Sequence, residues 1–131
     1  MRILHTGLGA SCVSNADLFF QQLLGLEKGA PAIVAAELCR AIFAIDRELT
    51  IINYTAEGIR FEVFIDPSYR APEQTVLHSC IEVDDQAEFL QKCAANGLKV
   101  SRTPKGNSFV SFVSDLDGNL YEIKESVVNR Q

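Results

Sequence analysis

The chain lacks any long apolar run. No stretch approaches the ~20 residues that a helix needs to cross a bilayer, so no membrane span is expected. It also lacks a basic cluster. Its 12 Lys and Arg residues are scattered against 17 Asp and Glu, and the net charge is −5. That balance argues against a nucleic-acid footprint and against a basic helix lying on a membrane. None of the four cysteines, Cys12, Cys39, Cys80 and Cys93, forms a C-x-x-C pair, and their spacing suggests no zinc ribbon. Reduced and mostly buried thiols are expected. Histidine is scarce as well, with two in the chain, His5 and His78.

The N-terminus opens Met1-Arg-Ile-Leu, as a signal peptide can, but His5 and Thr6 interrupt an already short apolar stretch. The residue three before Cys12 is Gly9 rather than the leucine usual at a lipoprotein site. A mature, cytoplasmic chain is the expectation. With 131 residues, 47% of them hydrophobic, there is enough material for one compact domain with a sizeable core.

Taken in order, residues 2–9 read as a strand, with His5, Gly7 and Gly9 on one face. Ser14 reads as an N-cap, with Asp17 as a weak capping-box partner. The helix at 16–24 buries Phe19, Phe20, Leu23 and Leu24, and Gly25 ends it. A strand at 26–34 is weakened by Gly29 and Pro31, and a short helix follows at 35–43. Strands are expected at 49–55 and 59–66, the latter with Phe61, Val63 and Ile65 on one face and Arg60, Glu62, Phe64 and Asp66 on the other. Two prolines mark a linker. The second half then gives a strand at 76–83, a helix at 86–95 stopped by Asn96-Gly97, and strands at 98–103, 108–114 and 119–125. The strand at 76–83 places His78, Cys80 and Glu82 on one face. Turns are expected at 104–107 and 115–118, and a frayed polar end at 126–131.

Both halves therefore read strand, helix, then three strands. The expected fold class is α+β, with two βαβββ modules in one chain: module one at about 1–66, a linker at 67–75, and module two at about 76–125. The His-to-Glu interval is longer in the first half (5 to 62 against 78 to 122), by close to the size of the extra helix at 35–43. A duplicated module commonly packs with its copy about a pseudo-two-fold axis. On that expectation His5, Glu62, His78 and Glu122 meet at one point.

Singly, each of these residues has a plain structural explanation. A lone strand histidine is usually a satisfied one, and a lone glutamate is usually solvated. Together they are the same residue types at the same place in each repeat, opposite the apolar face of their strands. Four uncompensated polar groups lining a cleft would be costly, and a divalent cation would remove that cost. Two imidazoles and two carboxylates suit Zn, Ni, Mn, Co or Fe.

The chain resembles the vicinal oxygen chelate superfamily, which includes glyoxalase I, the bleomycin and fosfomycin resistance proteins, extradiol dioxygenases and methylmalonyl-CoA epimerase. The likeness to bacterial glyoxalase I is closest in Met1-Arg-Ile-Leu-His-Thr6 and in Phe112-Val-Ser-Asp-Leu-Asp-Gly-Asn-Leu-Tyr-Glu122. The second stretch is similar to the family's F-x-x-D-P-D-G-x-x-x-E, with Leu116 at the proline. The resemblance implies a glyoxalase-like fold, its mixed sheets curled around a metal cleft. It places His5, Glu62, His78 and Glu122 on the four metal-ligand positions. It also implies a homodimer, and a lyase or isomerase that moves a proton through an enediolate. Glu122 is then the first choice of catalytic base and Glu62 the second.

Two departures bear on the substrate. Gly9 stands where glyoxalase I has an Arg that helps hold glutathione, and Asp66 stands where it has an Asn, an acid that would repel a carboxylate. Metal chemistry is thus expected to persist without strict dependence on glutathione. Gly7 and Gly9 are expected to leave space beside His5, and Phe64 either walls the cleft or simply packs. Two alternatives remain open: a non-catalytic binding protein of the bleomycin-resistance kind, and an Fe(II) dioxygenase, which would leave Glu62 unexplained.

Overall fold

The structure, a computed structural model, describes residues 1–127. The chain divides into two compact units, the first Met1–Arg70 and the second from Ala71 on. Each is a mixed sheet with helices, so the fold is α+β as expected.

In the first unit the order is β1 (Thr6–Ala10), α1 (Val13–Ala16) continuing as a π-helix (Asp17–Leu23), β2 (Glu27–Lys28), β3 (Ala32–Val34), α2 (Ala36–Phe43), β4 (Leu49–Ala56) and β5 (Ile59–Ile65). The sheet runs β1-β5-β4-β2, with β3 also on β4. β1 is parallel to β5, and the other pairs are antiparallel. One face of the sheet carries Phe61, Val63, Ile52 and Tyr54, all buried together with Phe19 and Phe20. The Phe20 ring lies 5.2 Å from Tyr54 and 5.0 Å from Phe61. Each such side chain contributes about 1.5–3 kcal/mol on leaving water.

The second unit is β6 (Ser79–Val83), α3 (Gln86–Ala95), β7 (Lys99–Lys105), β8 (Ser108–Ser114) and β9 (Leu120–Glu125), ordered β6-β9-β8-β7. Here too the first strand lies parallel beside the last. Tyr121, Ile123 and Val113 are buried, as are Phe89, Leu90 and Cys93 of α3. The helix begins where Asp85 accepts a hydrogen bond from the Glu88 amide at 3.0 Å.

Several boundaries depart from expectation. β1 begins at Thr6 rather than residue 2, and β6 at Ser79 rather than 76, so both histidines sit one residue ahead of their strands. The partner ladders start at Thr6↔Phe61 and Ser79↔Tyr121, and period-two alternation cannot tell where a partner ends. Ser14 is not the N-cap: Cys12 holds that position without a side-chain cap. Nor does Asp17 complete a capping box. Its carboxylate accepts from the Tyr54 hydroxyl at 2.8 Å and the Lys28 ammonium at 2.9 Å. Beyond it the helix widens, with the Leu24 amide reaching back to the Phe19 carbonyl at 3.0 Å.

The strand expected at 26–34 breaks into β2 and β3 around Gly29 and Pro31, the two residues that weakened it. β7 runs through Pro104 to Lys105, because it is the edge strand, where a missing amide costs no ladder bond. The turn at 104–107 shrinks to Gly106 and Asn107, with Gly106 at φ 61°. The end expected to fray, 126–131, lies outside the described residues from 128 on. No helix among the described residues is long and apolar enough to cross a membrane.

Candidate functional site

Each unit brings one histidine to one glutamate. In the first, His5 Nε2 is 3.2 Å from Glu62 Oε1. In the second, His78 Nε2 is 3.7 Å from Glu122 Oε1. The two pairs arise from the same register. The residue after His5 pairs with the residue before Glu62, and the residue after His78 pairs with the residue before Glu122. A parallel first-and-last strand pair thus sets a strand-entry histidine beside the second residue of the facing ladder. In both pairs the histidine is the more open member: the side chains of His5 and Glu62 are 46% and 20% exposed, and those of His78 and Glu122 are 36% and 19% exposed.

His78 is oriented further. Its Nδ1 lies 2.8 Å from the Val76 carbonyl, and its ring meets Phe112 edge-on at 5.4 Å. With the Nδ1 proton given to that carbonyl, the Nε2 lone pair faces a carboxylate. A backbone-anchored Nδ1 is how metal-ligating histidines are commonly held, with Nε2 as the ligating atom. The Glu122 strand is positioned by the preceding turn. Asp115 accepts from the amides of Asp117 and Asn119, from the Asn119 side chain, and from the Tyr121 hydroxyl at 2.9 Å. Burial pushes the Asp115 carboxyl up in pKa, against the downward pull of those four bonds.

The carboxylates are not uncompensated, which corrects the cost argument made from sequence. Arg60 Nε lies 3.8 Å from Glu62 Oε2, and Lys124 Nζ lies 3.8 Å from Glu122 Oε2. Sequence reasoning placed Arg60 on the Glu62 face without pairing the two, and missed Lys124. The signal was present: each is two residues from its glutamate and so shares its strand face. Among the described residues, no three His, Cys, Asp or Glu side chains gather as a metal-binding group. Each unit by itself offers two donors. Cys80 pairs in register with Glu122, and its thiol is pushed up by burial and by the Glu122 charge, which keeps it protonated and a poor nucleophile.

The face of the first sheet beside His5 and Glu62 also forms a cleft of about 260 Å³, lined by Phe43, Ile45, Leu49, Phe64, Asp66 and Tyr69 over Gly7 to Gly9. The space expected at Gly9 is not free, since a Cβ there would overlap the Tyr69 ring. At Gly7 a Cβ would meet only the Phe64 ring, at 3.8 Å. Asp66 is likewise occupied: Arg47 bonds its Oδ1, as do the Ser68 amide at 3.0 Å and the Ser68 hydroxyl at 2.9 Å. Burial pushes its carboxyl up in pKa, but the Arg47 and Ser68 bonds and the Arg47 charge outweigh that and hold it below the usual value. Nothing local announced this pair, whose members stand 19 residues apart.

A repeated mixed-sheet unit, each copy with its first strand parallel beside its last, is the glyoxalase-like fold of the vicinal oxygen chelate proteins. The chain belongs to the Glyoxalase/Bleomycin resistance protein/Dioxygenase superfamily, whose model matches residues 2–123. Among solved structures it is similar to a glyoxalase family protein from Bacillus cereus, at 18% identity and a TM-score of 0.70, covering 95% of this chain and 93% of that one. It is also similar to the genomically encoded fosfomycin resistance protein FosX from Listeria monocytogenes, at 14% identity and a TM-score of 0.70, covering 100% and 98%. A mutant of that Listeria protein, in complex with Mn(II) and 1S,2S-dihydroxypropylphosphonic acid, matches at 14% identity and 0.70. At these identities the likeness speaks for the fold alone. No curated protein matches the sequence.

Proposed function

We propose that the chain is a divalent-metal-dependent lyase or isomerase of the glyoxalase I type. It acts on a small substrate with adjacent oxygens and has no strict need of glutathione. The observation that carries this reading is the shared register of the His5–Glu62 and His78–Glu122 pairs. The four side chains would hold the ion, with two imidazole nitrogens and two carboxylates as the donor set, suited to Zn or Ni and also to Mn, Co or Fe. The Mn(II) bound by a relative of the same fold is in keeping with this. When bound, such an ion supplies Lewis-acid stabilisation of negative charge on two neighbouring substrate oxygens.

The chain's own groups do the rest. Glu122 is the base that takes a proton from the carbon beside the carbonyl and returns it to the neighbouring carbon, with Glu62 second. Lys124 and Arg60 stand beside these carboxylates and offset their charge. The Val76 carbonyl fixes which nitrogen of His78 is free. The substrate's non-reacting part rests on the cleft beside Glu62. Tyr69 occupies the space where glyoxalase I carries its glutathione-binding Arg, and Asp66 is bonded to Arg47, so neither position recruits a glutamyl carboxylate. The same reading includes a cytoplasmic homodimer with a small molecule as its partner.

The test is the metal content of protein purified without chelator, measured by mass spectrometry beside the Glu122→Ala variant. About one divalent ion per chain, lost in the variant, is expected. No metal in either protein, with no thermal stabilisation by added Zn or Ni, would sink the metalloenzyme. The apolar cleft would then favour the second reading, a non-catalytic protein that binds small molecules.

A further inference from the structure

We propose that the first unit's cleft is a receptor for the uncharged, apolar part of a small ligand: one aromatic ring or a branched aliphatic group. This rests on reading the His5–Glu62 pair as part of the working site. Three observations select that chemistry.

The first is position. Glu62 and Phe64 alternate onto one face of β5, and the Cβ direction of Gly7 points at the Phe64 ring. His5 lies two residues before Gly7 and reaches Glu62. The pair and the cleft thus occupy the same face of the β1–β5 ladder.

The second is size. At about 260 Å³ the cleft exceeds the ~150 Å³ cavity that takes one benzene and falls short of the ~300–1,000 Å³ of drug-sized pockets. Its volume suits a ring with a short substituent, with any longer part left to extend out of the open mouth.

The third is surface. Phe43 at the end of α2 is 42% exposed and meets Phe64 at 5.1 Å and 65°, so the Phe43 ring offers surface to a guest beside the half-buried Phe64. α2 is anchored behind them by Cys39, which is fully buried. Gly7 keeps the floor bare. The charged residue of the lining is a carboxylate, Asp66, already bonded by Arg47 and Ser68. No basic side chain lines the cleft among the described residues. An anionic substituent would lose its hydration against apolar walls with no cation in the lining to receive it. Its neutral isostere would not.

The experiment is an amide NMR titration of the full chain with benzyl alcohol, against benzoate as the anion of matching shape. Saturable shifts are expected at Gly7, Leu49, Phe64 and Tyr69, with benzoate weaker by about tenfold or more. Gly7→Leu projects a side chain from the floor towards Phe64, from a position where a Cβ meets only an ordinary contact, and should abolish the shifts while the spectrum stays dispersed. Phe43→Ala, at an exposed position, should weaken binding about threefold to tenfold. Benzoate binding as tightly as benzyl alcohol, or shifts that survive Gly7→Leu, would overturn the proposal. Zn(II) uptake measured on the same samples separates the two readings. Metal bound without probe binding defeats this inference alone, and probe binding without metal defeats the metalloenzyme and leaves the receptor standing.

Discussion

Two glycines on one strand face, two residues apart, should respond in opposite ways to the same substitution. At Gly9, an added Cβ overlaps the Tyr69 ring back to Cγ, so the whole ring must leave its rotamer. Overpacking of this kind costs about 1–3 kcal/mol. At Gly7, a Cβ finds only an ordinary contact with Phe64. Gly7→Ala should therefore be neutral, or stabilising by up to about 1 kcal/mol through the narrower unfolded ensemble. The assay is urea unfolding at constant m, reading the midpoint. A double-mutant cycle completes it. In a Tyr69→Ala background the Gly9→Ala cost should fall to near zero, a coupling of about 1–3 kcal/mol between residues in direct contact. The reasoning fails if Gly9→Ala is harmless, or if its full cost persists once the ring is gone.

Three further outcomes follow from the same geometry. Tyr54→Phe removes a hydroxyl that donates to the Asp17 side chain from a fully buried ring, and should cost about 1–2 kcal/mol in urea unfolding. Asp85→Ala removes the cap on the Glu88 amide and should cost about 1 kcal/mol, visible as a lower unfolding midpoint. Because Asp66 is held below its usual pKa when folded, its contribution is fully present above the unfolded carboxylate pKa of about 4 and is lost as pH falls through the lower folded value. Arg47→Ala should therefore flatten the fall of Tm on acidification below about pH 4, and lower Tm at neutral pH. A wild-type and variant pair with parallel Tm profiles would refute that role.

How much was legible depended on how local the cause was. α3 spans its expected residues up to the Asn96-Gly97 stop, and β8 spans its expected residues, because each carries a periodic pattern bounded by turn chemistry. The π-helical widening at Asp17–Leu23 was not legible. Its first residue, Asp17, is bonded to Tyr54 and Lys28, partners that no local pattern announces. The strand starts were misjudged for a related reason: alternation shows which face a residue takes, but the partner strand decides where the ladder begins.

The sequence by itself determined the repeat, the α+β class, and the membership of His5, Glu62, His78 and Glu122 in one recurring pattern. Period-two and helical spacing are properties of the chain alone, and a duplication writes them twice. Only the tertiary structure decided what stands around those residues. The parallel ladders β1–β5 and β6–β9 join ends of each unit that lie far apart in the chain, and their register set each histidine against its glutamate. Arg47 reached Asp66, and the Tyr69 ring took the space beside Gly9, through packing that no local pattern encodes.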